Sequence, residues 1–146
     1  MLFRPVSILA ILLCVATFAP VANAEVVIIV SVKSSVNVLT ADQIARIFLG
    51  KDDKFPNDQS ANPVDQPEGA AIRDEFYSKV AHKNSSQISS YWAKLIFTGE
   101  GRLPKIIPDD SAVIKFIASN PNALGYIDEK SLTKNLSKKI RIVFKP

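Results

Sequence analysis

The chain has 146 residues, a formal net charge of +4 at pH 7, one cysteine and one histidine. This length allows one domain, and the cysteine and histidine counts exclude a structural disulfide, a Cys-based zinc site and an H-E-x-x-H metal centre. Positive charge is concentrated in Lys130–Lys145, which lacks the interleaved aromatic residues that bind nucleic acid and is interpreted as a solvated face. We therefore expect no nucleic-acid partner, no metal ion and no cofactor.

The first predicted element is a secretory signal peptide over residues 1–24. Arg4 supplies a positive charge, Val6–Ala19 is apolar, and Ala22-Asn23-Ala24 has the small-x-small pattern that signal peptidase cleaves. The apolar stretch is too short for a membrane-spanning helix, and its flanking residues are those of a signal peptide. No later run reaches ~18 apolar residues. The sequence therefore predicts cleavage after Ala24, a periplasmic or secreted location, and a mature domain over residues 25–146 without a transmembrane segment.

The mature part begins with a strand and a helix. Glu25–Val32 is rich in β-branched residues with little alternation, which is typical of a strand covered on both faces. Thr40 and Gln43 have the spacing of a helix capping box, and Gly50 can end that helix in a left-handed conformation. A polar loop and a short extended segment around Asn62–Val64 follow.

The rest of the chain alternates between helices and strands. Apolar residues at helical spacing and good capping residues predict three amphipathic helices, and two later segments have the composition of strands. The helices run from about Gly69 to Val80, from Asn84-Ser85 onward, and from Asp109-Asp110-Ser111 to Asn120-Pro121-Asn122, and the strands are Leu124–Ile127 and Ile140–Phe144. Strands interleaved with helices predict an α/β domain.

Most aromatic side chains are predicted to belong to the core, because they recur at helical spacing. For the Tyr126 ring, both a core position and a ligand contact fit the sequence. The aromatic residues expected in the core are Phe48, Phe76, Tyr77, Trp92, Phe97 and Phe116.

The sequence contains no recognisable catalytic constellation. His82 follows a predicted helix end, where histidine interacts with terminal carbonyl groups, and Ser131-Leu132-Thr133-Lys134 lacks the companion motifs of serine acyl-transferases. The candidate acids are predicted to lie in loops without the paired placement that acid–base chemistry needs. We therefore expect a protein that is not an enzyme. These acids are Asp52, Asp53, Asp58, Asp65 and Glu68.

The most distinctive segment is Pro63–Phe76. It predicts a strand end that runs into a Gly/Ala turn, which opens a helix. The free backbone N–H groups at such a helix start bind anions through their geometry and the helix dipole. A tight strand-to-helix connection without a ligand fits the same residues equally well.

Together with its neighbours, this segment resembles the periplasmic phosphate-binding proteins of ABC transporters. The matching pieces occur in the family's order and cover most of Leu39–Asp128. They are Leu39–Lys51, similar to "L-x-x-x-Q-L/I-x-x-I-F-L/Y-G-K", then Tyr91-Trp92, Phe97-Thr98-Gly99, Pro104, and Ser119–Ile127, similar to "N-P-G-A-I-G-Y". The resemblance implies a periplasmic-binding-protein-like α/β fold with a mixed β-sheet flanked by helices, and this chain has the length of a single lobe.

The resemblance also implies a function and a site. It implies a substrate-binding protein related to phosphate ABC transport, whose ligand is phosphate or a similar oxyanion and whose partners are an ABC permease or a second lobe supplied by dimerisation. The family's turn reads approximately R-x-D-G-S-G-T, and Gln66 falls where its arginine stands. The residues implied to bind the ligand are Gln66, Gly69, Ala70, Ala71 and Arg73.

Two departures from the family pattern favour an alternative. Ala70 and Ile72 occupy the places of the two hydroxyl residues, so those donors are missing, as is the arginine at Gln66. Asp65 and Glu68 lie beside the turn and would repel an anion. The alternative is therefore a single-lobe interaction module of the periplasm that has lost solute binding.

Overall fold

The computed structural model describes residues 23–146, so nearly all of the predicted signal peptide lies outside the described residues. None of the helices in this range combines the length and apolar character that a membrane crossing requires. The elements in chain order are β1 (Val26–Ser31), α1 (Ala41–Phe48), β2 (Asn62–Asp65), α2 (Ala71–Ala81), α3 (Ser85–Thr98), β3 (Lys105–Ile106), α4 (Asp110–Ser119), β4 (Ala123–Asp128), a 3₁₀ turn (Glu129–Ser131) and β5 (Ile140–Phe144).

The strands form one five-stranded mixed sheet in the order β3-β2-β4-β1-β5. β2 pairs in parallel with both β3 and β4, whereas β1 pairs antiparallel with β4 and β5. The predicted α/β fold with a mixed sheet flanked by helices is therefore confirmed.

β1 lies between two hydrophobic cores among residues 23–146. All six of its residues are buried, because helices cover the sheet on both faces. Ile28 and Val30 belong to the core beneath α1, α2 and α3, whereas Val27 and Ile29 belong to the core beneath α4. The prediction of a strand covered on both faces is confirmed.

The predicted capping residues are present at the helix starts. The Thr40 hydroxyl accepts from the Gln43 backbone N–H at 3.2 Å, and the Gln43 side chain accepts from the Thr40 N–H at 2.9 Å. Gly50 follows α1 with a φ of +70°, which glycine adopts without steric cost. Asn84 and Gln87 form a second capping box, which was not predicted.

The placement of Phe97 in the core was wrong. Its side chain is 94% exposed, whereas Trp92 on the same helix is 5% exposed. Five residues along an α-helix turn the side chain by about 140°, so the face of α3 that buries Trp92 directs Phe97 outward. Phe116, which was predicted to lie in the core, is half-buried, with the Lys105 ammonium 4.6 Å from its ring centre. The two-residue strand β3 was not predicted.

Candidate functional site

The candidate site lies at the carboxyl ends of the three parallel strands. Because β3 and β4 both run parallel to β2, their carboxyl ends meet at one edge of the sheet. Helices α2 and α4 begin after β2 and β3, so their amino ends face the same edge. Ligands of open α/β sheets bind in this type of position.

Asp65 is the centre of this edge. It was predicted to lie in a loop, but it is the last residue of β2 and is only 1% exposed. Its Oδ1 accepts from the Gln66 backbone N–H at 2.8 Å and from the Tyr126 hydroxyl. Its Oδ2 accepts from the Tyr77 hydroxyl at 2.8 Å and from Arg73 Nε at 3.3 Å. The carboxylate is therefore buried among four donors.

Burial and neighbouring charge shift the pKa values of the groups around Asp65. Burial raises the pKa of Tyr77 and of Tyr126 far above the usual value, and the neighbouring Asp65 carboxylate raises both further. Burial is the largest single influence on Arg73 and lowers its pKa, but Asp65, Tyr77 and Tyr126 together outweigh burial, so the net direction is upward. Two neutral phenols and a cationic guanidinium thus surround the carboxylate at neutral pH.

Arg73 points into the protein and not toward solvent. It is only 7% exposed, and its guanidinium carbon lies 5.0 Å from the centre of the Tyr77 ring. Its Nη1 is buried and has no hydrogen-bond partner among the described residues. The structure therefore places this predicted ligand contact beneath the turn, as the counterion of Asp65.

Gln66 is also engaged internally. It is 3% exposed, and its Nε2 donates to Asp110 Oδ1 at 2.7 Å and to the Tyr126 carbonyl at 3.2 Å. Asp110 Oδ2 accepts from the Asp128 backbone N–H at 3.0 Å and from the Ser131 hydroxyl at 2.6 Å. Through Asp110, Gln66 joins the ends of β2 and β4 instead of facing a ligand. This role of Asp110 was not predicted; the sequence indicated only that Asp109, Asp110 and Ser111 suit a helix start, and the residue that caps α4 is Asp109.

The turn itself lies at the surface. Gly69 and Ala71 are exposed, and Gly69 adopts a φ of +89°, a conformation that favours glycine. The Ala70 N–H donates to the Pro67 carbonyl at 3.1 Å, and Ala70 provides no side-chain cap for α2. Ala71 and Ile72 are the first helical residues, so their N–H groups have no acceptor within the helix.

Acidic side chains flank this helix start. Glu68 is exposed and accepts from the Ser89 hydroxyl at 2.6 Å, and Asp74 lies in the first turn of α2. The structure thus separates the five predicted ligand residues into two groups. The backbone of Gly69, Ala70 and Ala71 forms the surface turn, whereas Gln66 and Arg73 are buried and bonded to other parts of the fold.

No family model matches the sequence, and no curated protein matches it significantly. Solved structures do match. An ABC-type phosphate transport receptor from Vibrio cholerae superposes with a TM-score of 0.64 at 18% identity, and PstS from Borrelia burgdorferi with 0.63 at 16%. A structure from Clostridium perfringens, described as a phosphate ABC transporter substrate-binding protein with bound phosphate, gives 0.62 at 21%.

These comparisons also define how much of each protein is shared. Each covers 82% of this chain, but only 45%, 46% and 44% of the Vibrio, Borrelia and Clostridium chains. The chain therefore spans less than half the length of the structures that it matches. Its described residues have the α/β fold of phosphate ABC transporter substrate-binding proteins, over a length that corresponds to a single lobe.

Proposed function

We propose that this chain is an exported, non-catalytic binding protein related to phosphate ABC transport, and that it binds phosphate or a similar oxyanion at the start of α2. The observation that carries this proposal is the exposed start of α2. Because Ala70 offers no side-chain cap, the N–H groups of Ala71 and Ile72 are left for an external acceptor. The shared fold with a protein that contains bound phosphate supports the same proposal.

The proposed site is expected to bind phosphate weakly. Its contacts are backbone N–H groups and a helix dipole, because Gln66 and Arg73 are engaged internally. Glu68 and Asp74 add negative charge close by. We therefore expect a dissociation constant for phosphate of about 1 mM, which corresponds to a binding free energy of about 4 kcal/mol.

Isothermal titration calorimetry of the full chain with phosphate is the test, and Ala71→Pro is the decisive variant. Proline is well tolerated at the first position of a helix, and Ala70 already has the extended conformation that a following proline requires. The substitution removes one N–H group and leaves the helix intact. We expect phosphate affinity to fall about tenfold, the loss of about one charge-assisted hydrogen bond, with an unchanged melting temperature.

Ser85→Pro provides the matched control, because Ser85 is the first residue of α3 and loses an equivalent N–H group at another helix start. Its phosphate affinity should equal that of the wild type. Wild-type protein that shows no binding at millimolar phosphate contradicts the proposal. Equal losses in both proline variants contradict the assignment to α2.

A second candidate function is a single-lobe interaction module. It is favoured by large apolar side chains that are exposed at and after the end of α3. We propose that a second copy of this chain covers them, because exposed large apolar side chains on a folded domain mark protein–protein contacts. The exposed residues are Ile96 (59%), Phe97 (94%), Leu103 (51%) and Ile106 (53%).

Sedimentation velocity over a range of protein concentrations tests this second candidate. We expect the wild type to form dimers as concentration rises, and Phe97→Glu to remain monomeric because a charge cannot be buried unpaired in an apolar contact. Val38→Glu is the matched control, since Val38 is 75% exposed but lies between β1 and α1. A wild type that stays monomeric throughout, or a dimer that Phe97→Glu leaves intact, contradicts this function.

A further inference from the structure

We propose that the Asp65 carboxylate is an internal ligand, which occupies an anion-binding cradle inside the protein and competes with external oxyanions for it. The cradle consists of the donors around this carboxylate, contributed by Gln66, Arg73, Tyr77 and Tyr126. The inference rests on the proposed function only in assuming that the oxyanion approaches at the start of α2. It adds the reason why binding there is weak.

The donors of the cradle come from separate parts of the fold. Gln66 follows β2, Arg73 and Tyr77 lie on α2, and Tyr126 lies on β4, 61 residues from Asp65. A guanidinium, two hydroxyls and a backbone N–H are donors that suit either a carboxylate or a phosphate. The fold thus brings four donors to one buried point, and the Asp65 side chain occupies that point.

The cradle has more donor capacity than Asp65 uses. Arg73 reaches the carboxylate only through Nε at 3.3 Å, and its buried Nη1 has no partner among the described residues. A guanidinium frequently binds a carboxylate through two parallel N–H groups. An anion with three or four oxygens could satisfy Nη1, which Asp65 leaves unpaired.

The position of the cradle connects it to the surface turn. Asp65 ends β2, and Arg73 lies in the first turn of α2, so the turn at Gly69–Ala71 lies in the segment that connects these two members of the cradle. An external anion at that turn faces the negative charge of Asp65. Removal of this charge should both empty the cradle and make its donors available to the solvent anion.

The test is Asp65→Ala, which deletes a group of the size of formate and keeps the β-carbon. Melting temperatures of this variant and of the wild type are measured against formate and against phosphate, with chloride at equal ionic strength as the salt control. We expect formate and phosphate to stabilise Asp65→Ala at concentrations at least tenfold lower than those the wild type requires. The double variant Asp65→Ala/Arg73→Met should lose this response, because it lacks the guanidinium.

Each outcome is decisive. An anion response of Asp65→Ala that depends on Arg73 supports the cradle, even if the wild type binds no phosphate and the proposed function fails. Wild-type binding that Asp65→Ala does not strengthen overturns the cradle and leaves the proposed function intact. If Asp65→Ala does not fold, refolding promoted by formate or phosphate supports the inference. Failure to refold in any anion, with no anion dependence in the isosteric Asp65→Asn, overturns it.

Discussion

Replacement of Arg73 by methionine is expected to lower the free energy of unfolding by about 3–5 kcal/mol, which is typical when one partner of a buried ion pair is removed. Asp65 is 1% exposed, and Arg73 is its cationic partner in the cluster. Methionine has a similar length and no charge, so it leaves the carboxylate buried with neutral donors only. Urea denaturation at pH 7, followed by circular dichroism, measures the change.

The double variant Asp65→Asn/Arg73→Met separates lost charge from lost packing. It removes both charges, so we expect it to be more stable than Arg73→Met alone. Arg46→Met is the matched control, because Arg46 pairs with Asp52 at the surface, where solvent screens the pair and its loss should matter far less. A loss below about 1 kcal/mol in Arg73→Met, or a double variant no more stable than the single one, contradicts the prediction.

Local features of the fold could be predicted from the sequence because short-range interactions determine them. The capping box at Thr40 and Gln43 involves residues three positions apart, and the burial of β1 follows from its own β-branched residues. These signals give the order of helices and strands. The pattern of parallel and antiparallel pairing depends on distant segments and was not predicted; the family resemblance implied only that the sheet is mixed.

The interior of the site could not be predicted in this way. The sequence shows polar residues in the turn after β2, a pattern that fits a ligand-facing loop. The burial of Gln66 and Arg73 depends on acceptors that the fold brings close to them. Gln66 is bonded to Asp110, 44 residues away along the chain, and Arg73 is bonded to Asp65, 8 residues away. The phenol groups that enclose Asp65 are 12 and 61 residues away. No periodicity relates such positions, so ligand contacts and structural contacts look alike in the sequence.

The same cluster predicts a loss of stability at alkaline pH. The pKa values of Tyr77 and Tyr126 are raised from 10.0, first by burial and then by the Asp65 carboxylate. Above pH 10 the unfolded chain releases these two protons while the folded protein keeps them, so rising pH favours unfolding. Below pH 10 the contribution is constant. Above it, the free energy of unfolding should fall by about 1.4 kcal/mol per pH unit for each tyrosine, or about 2.7 for both.

Tyr126→Phe isolates this effect from the titration of the many lysines, which wild type and variant share. Urea denaturation between pH 8 and pH 12 should give a slope above pH 10 that is shallower in the variant by about 1.4 kcal/mol per pH unit. The variant also loses a hydrogen bond to Asp65, which lowers its stability at every pH but leaves the slope unaffected. Parallel curves for the two proteins above pH 10 would mean that Tyr126 ionises in the folded state as readily as in water. In that case the Asp65 carboxylate is not held in a buried cluster, and the internal-ligand proposal loses its basis as well.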